Sequence, residues 1–297
     1  MKLSDNSLRS AFERISVAIF LLLLWIFIST NVYGQQVKLT EVTWDGVGCY
    51  KIEMPMGTVY FEKDEGVSGF KSFIDNEGND WIASHMGPGP NSDFRGFPNT
   101  VGNFGHAERD SGSATRIVDC KAEGDLVILE SSNPNFTFQY WFFPDRVVVK
   151  VIESKENYSF LFEGVVGGSA EAEDYFVTSD GKKHIPSGEF KDFAPEWFYL
   201  GDPKVNNHLF LAKTPDDAAP NENHRQIREG NIHNMDLYSF GRTGPEDGYE
   251  IYGMSGNEHI CIIGFVSADK DHDEIKEKVE GFLKEPFKVT EDTLESN

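Results

Sequence analysis

The residues of this chain best suited to chemistry lie between His85 and His106, in HMGPGPNSDFRGFPNTVGNFGH. The stretch combines two histidines, Arg95 and Asn99 with glycines, prolines and phenylalanines, and it has no helical or strand periodicity. A long polar segment inside a compact domain is functional or disordered, and Phe94, Phe97, Pro98 and Phe104 favour an ordered site loop. Imidazole titrates nearest neutral pH, so His106 is a candidate base, and the planar fork of Arg95 suits a carboxylate. Asn99 adds an amide donor and His85 a further polar contact. The competing reading of Arg95 is an internal salt bridge, for example to Asp93.

Two further stretches carry chemical groups. GKKHIPSGEFKDFAPEWFYLGD, from Gly181 to Asp202, concentrates His184, Glu196, Trp197 and Tyr199, and it reads as an irregular segment broken by Pro186 and Pro195. His184 is a second candidate base, Tyr199 a candidate acid, and Glu196 with Trp197 a candidate sugar contact. If residues 196–200 are a strand, Glu196 and Phe198 face one way and Trp197 and Tyr199 the other, and the aromatics then belong to a core. TPDDAAPNENHRQIREG, residues 214–230, reads as a polar loop whose His224, Arg225 and Arg228 form a basic cluster able to meet a uronate.

These stretches must be positioned by β-structure. Strands are expected at Val37–Trp44, Cys49–Met54, Thr58–Lys63, Phe70–Ile74, Trp81–Ser84, Arg116–Cys120, Leu126–Ser131, Phe136–Phe143 and Val147–Ile152. Others follow at Tyr158–Phe162, Tyr175–Thr178, Leu209–Lys213, Met235–Phe240, Tyr249–Met254 and His259–Val266. Turn residues such as Asp45-Gly46 separate them, and the run Asp75–Asp80 reads as a hairpin turn in preference to a calcium loop. The one helix expected is Asp271–Phe282, capped by Asp271 or Asp273 and apolar at Ile275, Val279 and Phe282. With no βαβ unit, the fold class is all-β, a large antiparallel β-sandwich with one short C-terminal helix.

Of the 297 residues, 39% are hydrophobic, enough for a sizeable core. Residues 1–34 read as a signal peptide: Lys2, Arg9 and Arg14 precede the apolar run Ile15–Ile28, which is too short for a stable membrane span. The expected location is secreted, periplasmic or cell-surface, with one domain at 35–290 and an acidic tail at 291–297. A net charge of −22 argues against nucleic acid as a partner. Cys49, Cys120 and Cys261 show no zinc-ligand spacing, so no metal is expected, and either one disulfide or three buried thiols would fit.

GFKSFIDNEGNDWIASH followed by FRGFPN and NFGH resembles the early part of galactose-mutarotase-like proteins, nearest to their hexose-phosphate epimerase branch, over residues 69–106. The resemblance implies a β-supersandwich and a sugar cleft in which Arg95 matches the cleft arginine and His106 a cleft histidine. No later histidine motif or C-terminal catalytic glutamate matches the epimerases. Together these readings point to a carbohydrate-active enzyme without cofactor, acting on a polysaccharide or oligosaccharide, with polysaccharide-lyase elimination at a uronate placed first. A glycoside hydrolase using Glu196, an aldose epimerase and a non-catalytic glycan-binding protein are the alternatives.

Overall fold

The computed structural model of the protein describes residues 36–63, 70–82, 99–102, 116–123, 126–132, 136–155, 158–164, 166–168, 171–185, 190–191, 196–214, 223–227, 235–240 and 259–289. The expected signal peptide, the strand at Tyr249–Met254 and the acidic tail lie outside them.

The first four strands form a meander: β1 (Lys38–Trp44), β2 (Val47–Met54), β3 (Gly57–Glu62) and β4 (Phe70–Asp75). Trp44 pairs with Val47, leaving Asp45 and Gly46 as a two-residue loop with φ of 51° and 81°. Positive φ at both positions is the type I′ geometry that matches strand twist, and an Asp-Gly pair supplies it.

Nine antiparallel strands make the largest sheet, in the order β12-β11-β14-β15-β18-β9-β8-β7-β6. These are β6 (Arg116–Glu123), β7 (Leu126–Ser132), β8 (Phe136–Phe142), β9 (Val147–Ser154), β11 (Tyr175–Thr178), β12 (Lys183–His184), β14 (Trp197–Gly201), β15 (Asn207–Lys213) and β18 (Ile260–Ser267). A third sheet has the order β13-β16-β17-β10-β5, built from β5 (Asn99–Gly102), β10 (Tyr158–Gly164), β13 (Phe190–Lys191), β16 (Asn223–Ile227) and β17 (Met235–Phe240).

Both smaller sheets pack on the same face of the large one. Phe61 and Phe70 meet Tyr140, and Phe73 lies 4.3 Å from Phe265, centroid to centroid. Phe198 meets Tyr238 and Phe240 from the five-stranded sheet. One continuous core results, a β-sandwich whose second layer is divided in two. The opposite face of the large sheet is covered by α1 (His272–Lys284), which buries Ile275, Val279 and Phe282 against Phe210, Trp197 and Ile262. A capping box at Asp271 and Glu274 starts this helix, as its sequence implies. Among the described residues no helix is long and apolar enough to cross a membrane.

Several expectations change. The segment after Gly181 carries strands where an irregular path was expected: β12 pairs with the preceding β11, β13 with β16, and β14 with β11 and β15. Residues 223–227 are a strand, not loop, since β17 supplies backbone partners that polar composition does not reveal. Trp81 and Ile82 do not extend a strand. After an isolated bridge at Asp80, the Trp81 ring enters the core beside Phe265.

The turn at Asp75–Asp80 uses its own oxygens. Asp75 accepts from the Glu77 and Asn79 amides and from Trp81 Nε1, and across the sandwich from Asn207 Nδ2 at 3.1 Å. Asp80 accepts from the Phe73 and Ile82 amides and the Ser72 hydroxyl. Hydrogen bonds therefore explain both carboxylates. Asp75→Ala strands buried donors on Trp81 and Asn207 and is expected to cost about 2 kcal/mol in urea unfolding; an unchanged midpoint would contradict this role.

The register also constrains the cysteines. Cys120 aligns with Leu129, Leu129 with Tyr140, Tyr140 with Val149 and Val149 with Cys261. Four strand spacings separate the two, roughly 19 Å, beyond disulfide reach. Cys49 is a free buried thiol, and burial pushes its pKa up.

Candidate functional site

Side chains of β14 and β15 alternate between the sandwich interior and the helix-covered face. Phe198 and Leu200 of β14, with Leu209 and Leu211 of β15, point inward. Glu196 and Lys213 continue those inward positions at one end of the sheet. The Lys213 ammonium donates to Glu196 Oε2 at 3.0 Å, and the Lys213 amide donates to the Glu196 carbonyl at 2.7 Å. Lys213 is 1% exposed and Glu196 is 8% exposed, so this is a buried ion pair. Its cost in desolvation makes it a weak source of stability and a marker of a specified site.

Chain topology brings other candidates to the same region. The chain passes from the five-stranded sheet into β14 immediately before Glu196, and it returns to that sheet at β16 soon after Lys213. Phe240, at the end of β17, faces Phe198, two residues from Glu196. Phe240 also pairs with Phe160, which pairs with Thr100 in β5. Asn99 in β5 and His224 and Arg225 in β16, far apart in sequence, thus become members of one sheet. His85, Arg95 and His106 themselves lie outside the described residues, as does Arg228.

The remaining candidates separate. Trp197 and Tyr199 face the helix and are buried, Trp197 stacked on His272 with centroids 5.7 Å apart. They are core residues, so the sugar-platform reading of Trp197 is withdrawn. His184 pairs in register with Phe176, stacks on that ring at 4.8 Å and reaches the Thr178 hydroxyl, all on the interior face. The sheet therefore lies between His184 and Tyr199, and these two cannot act on one bond as base and acid. Burial lowers the pKa of His184, with the Asp180 carboxylate opposing that shift.

A second cluster, not foreseen from the sequence, occupies the helix-covered face. Tyr175 Oη lies 2.9 Å from His208 Nε2, and the Lys183 ammonium sits 3.4 Å from the centre of the Tyr175 ring. Gly201 between them makes the contact possible: a Cβ there would come within 2.5 Å of Tyr175 Cζ and 2.8 Å of His208 Cδ2. Burial, then the Lys183 charge, lowers the His208 pKa to about 4, so the ring is neutral near pH 7. Burial and the nearby Asp202 raise that of Tyr175, which stays a phenol. Tyr199 is pushed up to about 12 by burial, then by Tyr175 and Asp271. The only sequence signal for this cluster was the polar Asn207-His208 pair opening an otherwise apolar strand.

No protein-family model matches the chain, and no curated protein matches it.

Proposed function

We propose that the protein is an exported carbohydrate-active enzyme of the polysaccharide lyase type, cutting a uronate-containing glycan by β-elimination at the end of the sandwich marked by Glu196 and Lys213. One observation supports this reading above others. A buried, costly ion pair stands where β14 begins and β15 and β17 end, and the five-stranded sheet packed there carries Asn99 in β5 and His224 and Arg225 in β16. The sandwich architecture is compatible with the resemblance to galactose-mutarotase-like proteins.

In this reading Arg95, with Asn99, neutralises the uronate carboxylate and acidifies the neighbouring C–H. His106 takes that proton, the C4–O bond breaks, a C4=C5 double bond forms, and the departing oxygen takes a proton from water. His224 and Arg225 alternate across β16, so one of the two contacts the acidic chain. Hydrolysis through Glu196 ranks lower, because its carboxylate is bound by the Lys213 ammonium and not directed at a glycosidic oxygen.

The test follows ultraviolet absorbance of the unsaturated uronate and release of reducing ends on a panel of acidic and neutral polysaccharides. Elimination is expected to raise both signals on an acidic glycan, and Arg95→Ala and His106→Ala each to lower kcat/KM at least about a hundred-fold, the scale of a lost acid–base group. Reducing ends without absorbance would replace elimination by hydrolysis. Binding without product would make the protein a glycan-binding module.

A further inference from the structure

We propose that Tyr175, His208 and Lys183 form a carboxylate-binding site on the helix-covered face of the nine-stranded sheet, separate from the cleft at Glu196. The donor set argues for it. His208 is 5% exposed, and its Nδ1 has no hydrogen-bond partner. If Nδ1 carried the proton, a buried N–H would be left without an acceptor, the costlier of the two arrangements. The neutral ring therefore places its proton on Nε2 and donates to Tyr175 Oη. That frees the phenol proton to point away from His208. Tyr175 is half-buried and Lys183 is exposed, with its ammonium 3.4 Å from the centre of the same ring whose hydroxyl meets His208.

Two adjacent donors recognise an anion, and a carboxylate has the oxygen pair to meet both. Asp202, whose charge reaches Tyr175, is held through Oδ1, which accepts from the Lys204 amide at 2.8 Å. Tyr199 and His272 close the inner side of the cluster with their rings. Gly201 is the positioning residue, because only an absent Cβ lets Tyr175 cross to His208. In the setting of a uronate-cutting enzyme the ligand would be an acidic sugar end, but the site does not depend on elimination being the reaction.

The experiment titrates the full-length protein with galacturonate, and with galactose as the neutral control, following the His208 ring signals by NMR. A saturable shift with galacturonate alone is expected, with the Nε2–H tautomer in the free protein. Tyr175→Phe, which keeps the ring, and Lys183→Ala should each weaken binding about ten-fold or more, as loss of a charge-assisted hydrogen bond implies. Lys204→Ala, another exposed lysine, should bind unchanged. No saturable shift, equal binding by Tyr175→Phe, or equal loss in Lys204→Ala would overturn the site. Carboxylate binding without glycan turnover would leave it standing and remove the lyase reading; turnover with no shift at His208 would do the reverse.

Discussion

Replacing Lys213 by methionine is expected to destabilise the protein by about 4 kcal/mol, because it leaves the Glu196 carboxylate in a site built around an ammonium. Glu196→Gln should be damaging for the converse reason, removing the counter-charge 3.0 Å from a lysine that is 1% exposed. In thermal unfolding such a loss corresponds to roughly 10 °C for a domain of this size. The double variant Glu196→Leu, Lys213→Met should recover most of the loss, since apolar groups of similar volume remove the desolvation cost with the attraction. A double-mutant cycle in urea measures the coupling directly. A coupling energy near zero would show that the pair is not a unit and would remove the marker on which the placement of the cleft rests. Recovered stability without recovered glycan turnover would separate the pair's role in the cleft from its role in folding.

Acidification is expected to weaken the fold through His208. Its folded-state pKa of about 4 lies below the ordinary imidazole value of 6.5, with burial as the first cause and Lys183 as the second. The unfolded chain therefore binds a proton before the folded one does. The stability associated with the neutral ring is full above about pH 6.5, declines as pH falls through the window between the two values, and is gone below about pH 4. A difference of this size corresponds to about 3 kcal/mol from one residue. Urea unfolding at pH 7 and pH 4.5 checks it: wild type should lose distinctly more stability over that interval than His208→Gln, which has no proton to gain. Parallel losses in the two proteins would assign the acid response to other groups. The geometry explains why protonation is opposed, since a second ring proton would face no acceptor at Nδ1 and would add a charge beside Lys183.

Both predictions concern residues that sequence reading ranked low or passed over, and the reason is specific. Alternation showed that Glu196 and Tyr199 could not share a face if a strand formed there, and the structure has that strand. It could not show that Lys213, seventeen positions later, would be the partner of Glu196, because that contact depends on the register of β14 against β15. His208 stood just outside the expected strand Leu209–Lys213, beside the polar Asn207, with nothing local to show what it would meet. Its meeting with Tyr175 requires β11 and β15 to flank β14 in one register, with a glycine at the crossing point. The loop from His85 to His106 attracted attention through composition alone. Of its candidates the structure describes only Asn99, which starts a strand where loop was expected.

What the sequence determined by itself was local: the period-two runs that became strands, the Asp45-Gly46 turn, the Asp75 turn, the capped helix with its apolar stripe, and from these an all-β sandwich. Each follows from interactions within a few residues, where side-chain alternation, φ preference and capping act directly on the chain. Tertiary structure alone decided which histidine met which tyrosine, which charge was buried with which, and on which face each aromatic fell. Those outcomes depend on strand order and register, which pair residues distant along the chain, and a shift of one residue in pairing would send every one of them to the opposite face.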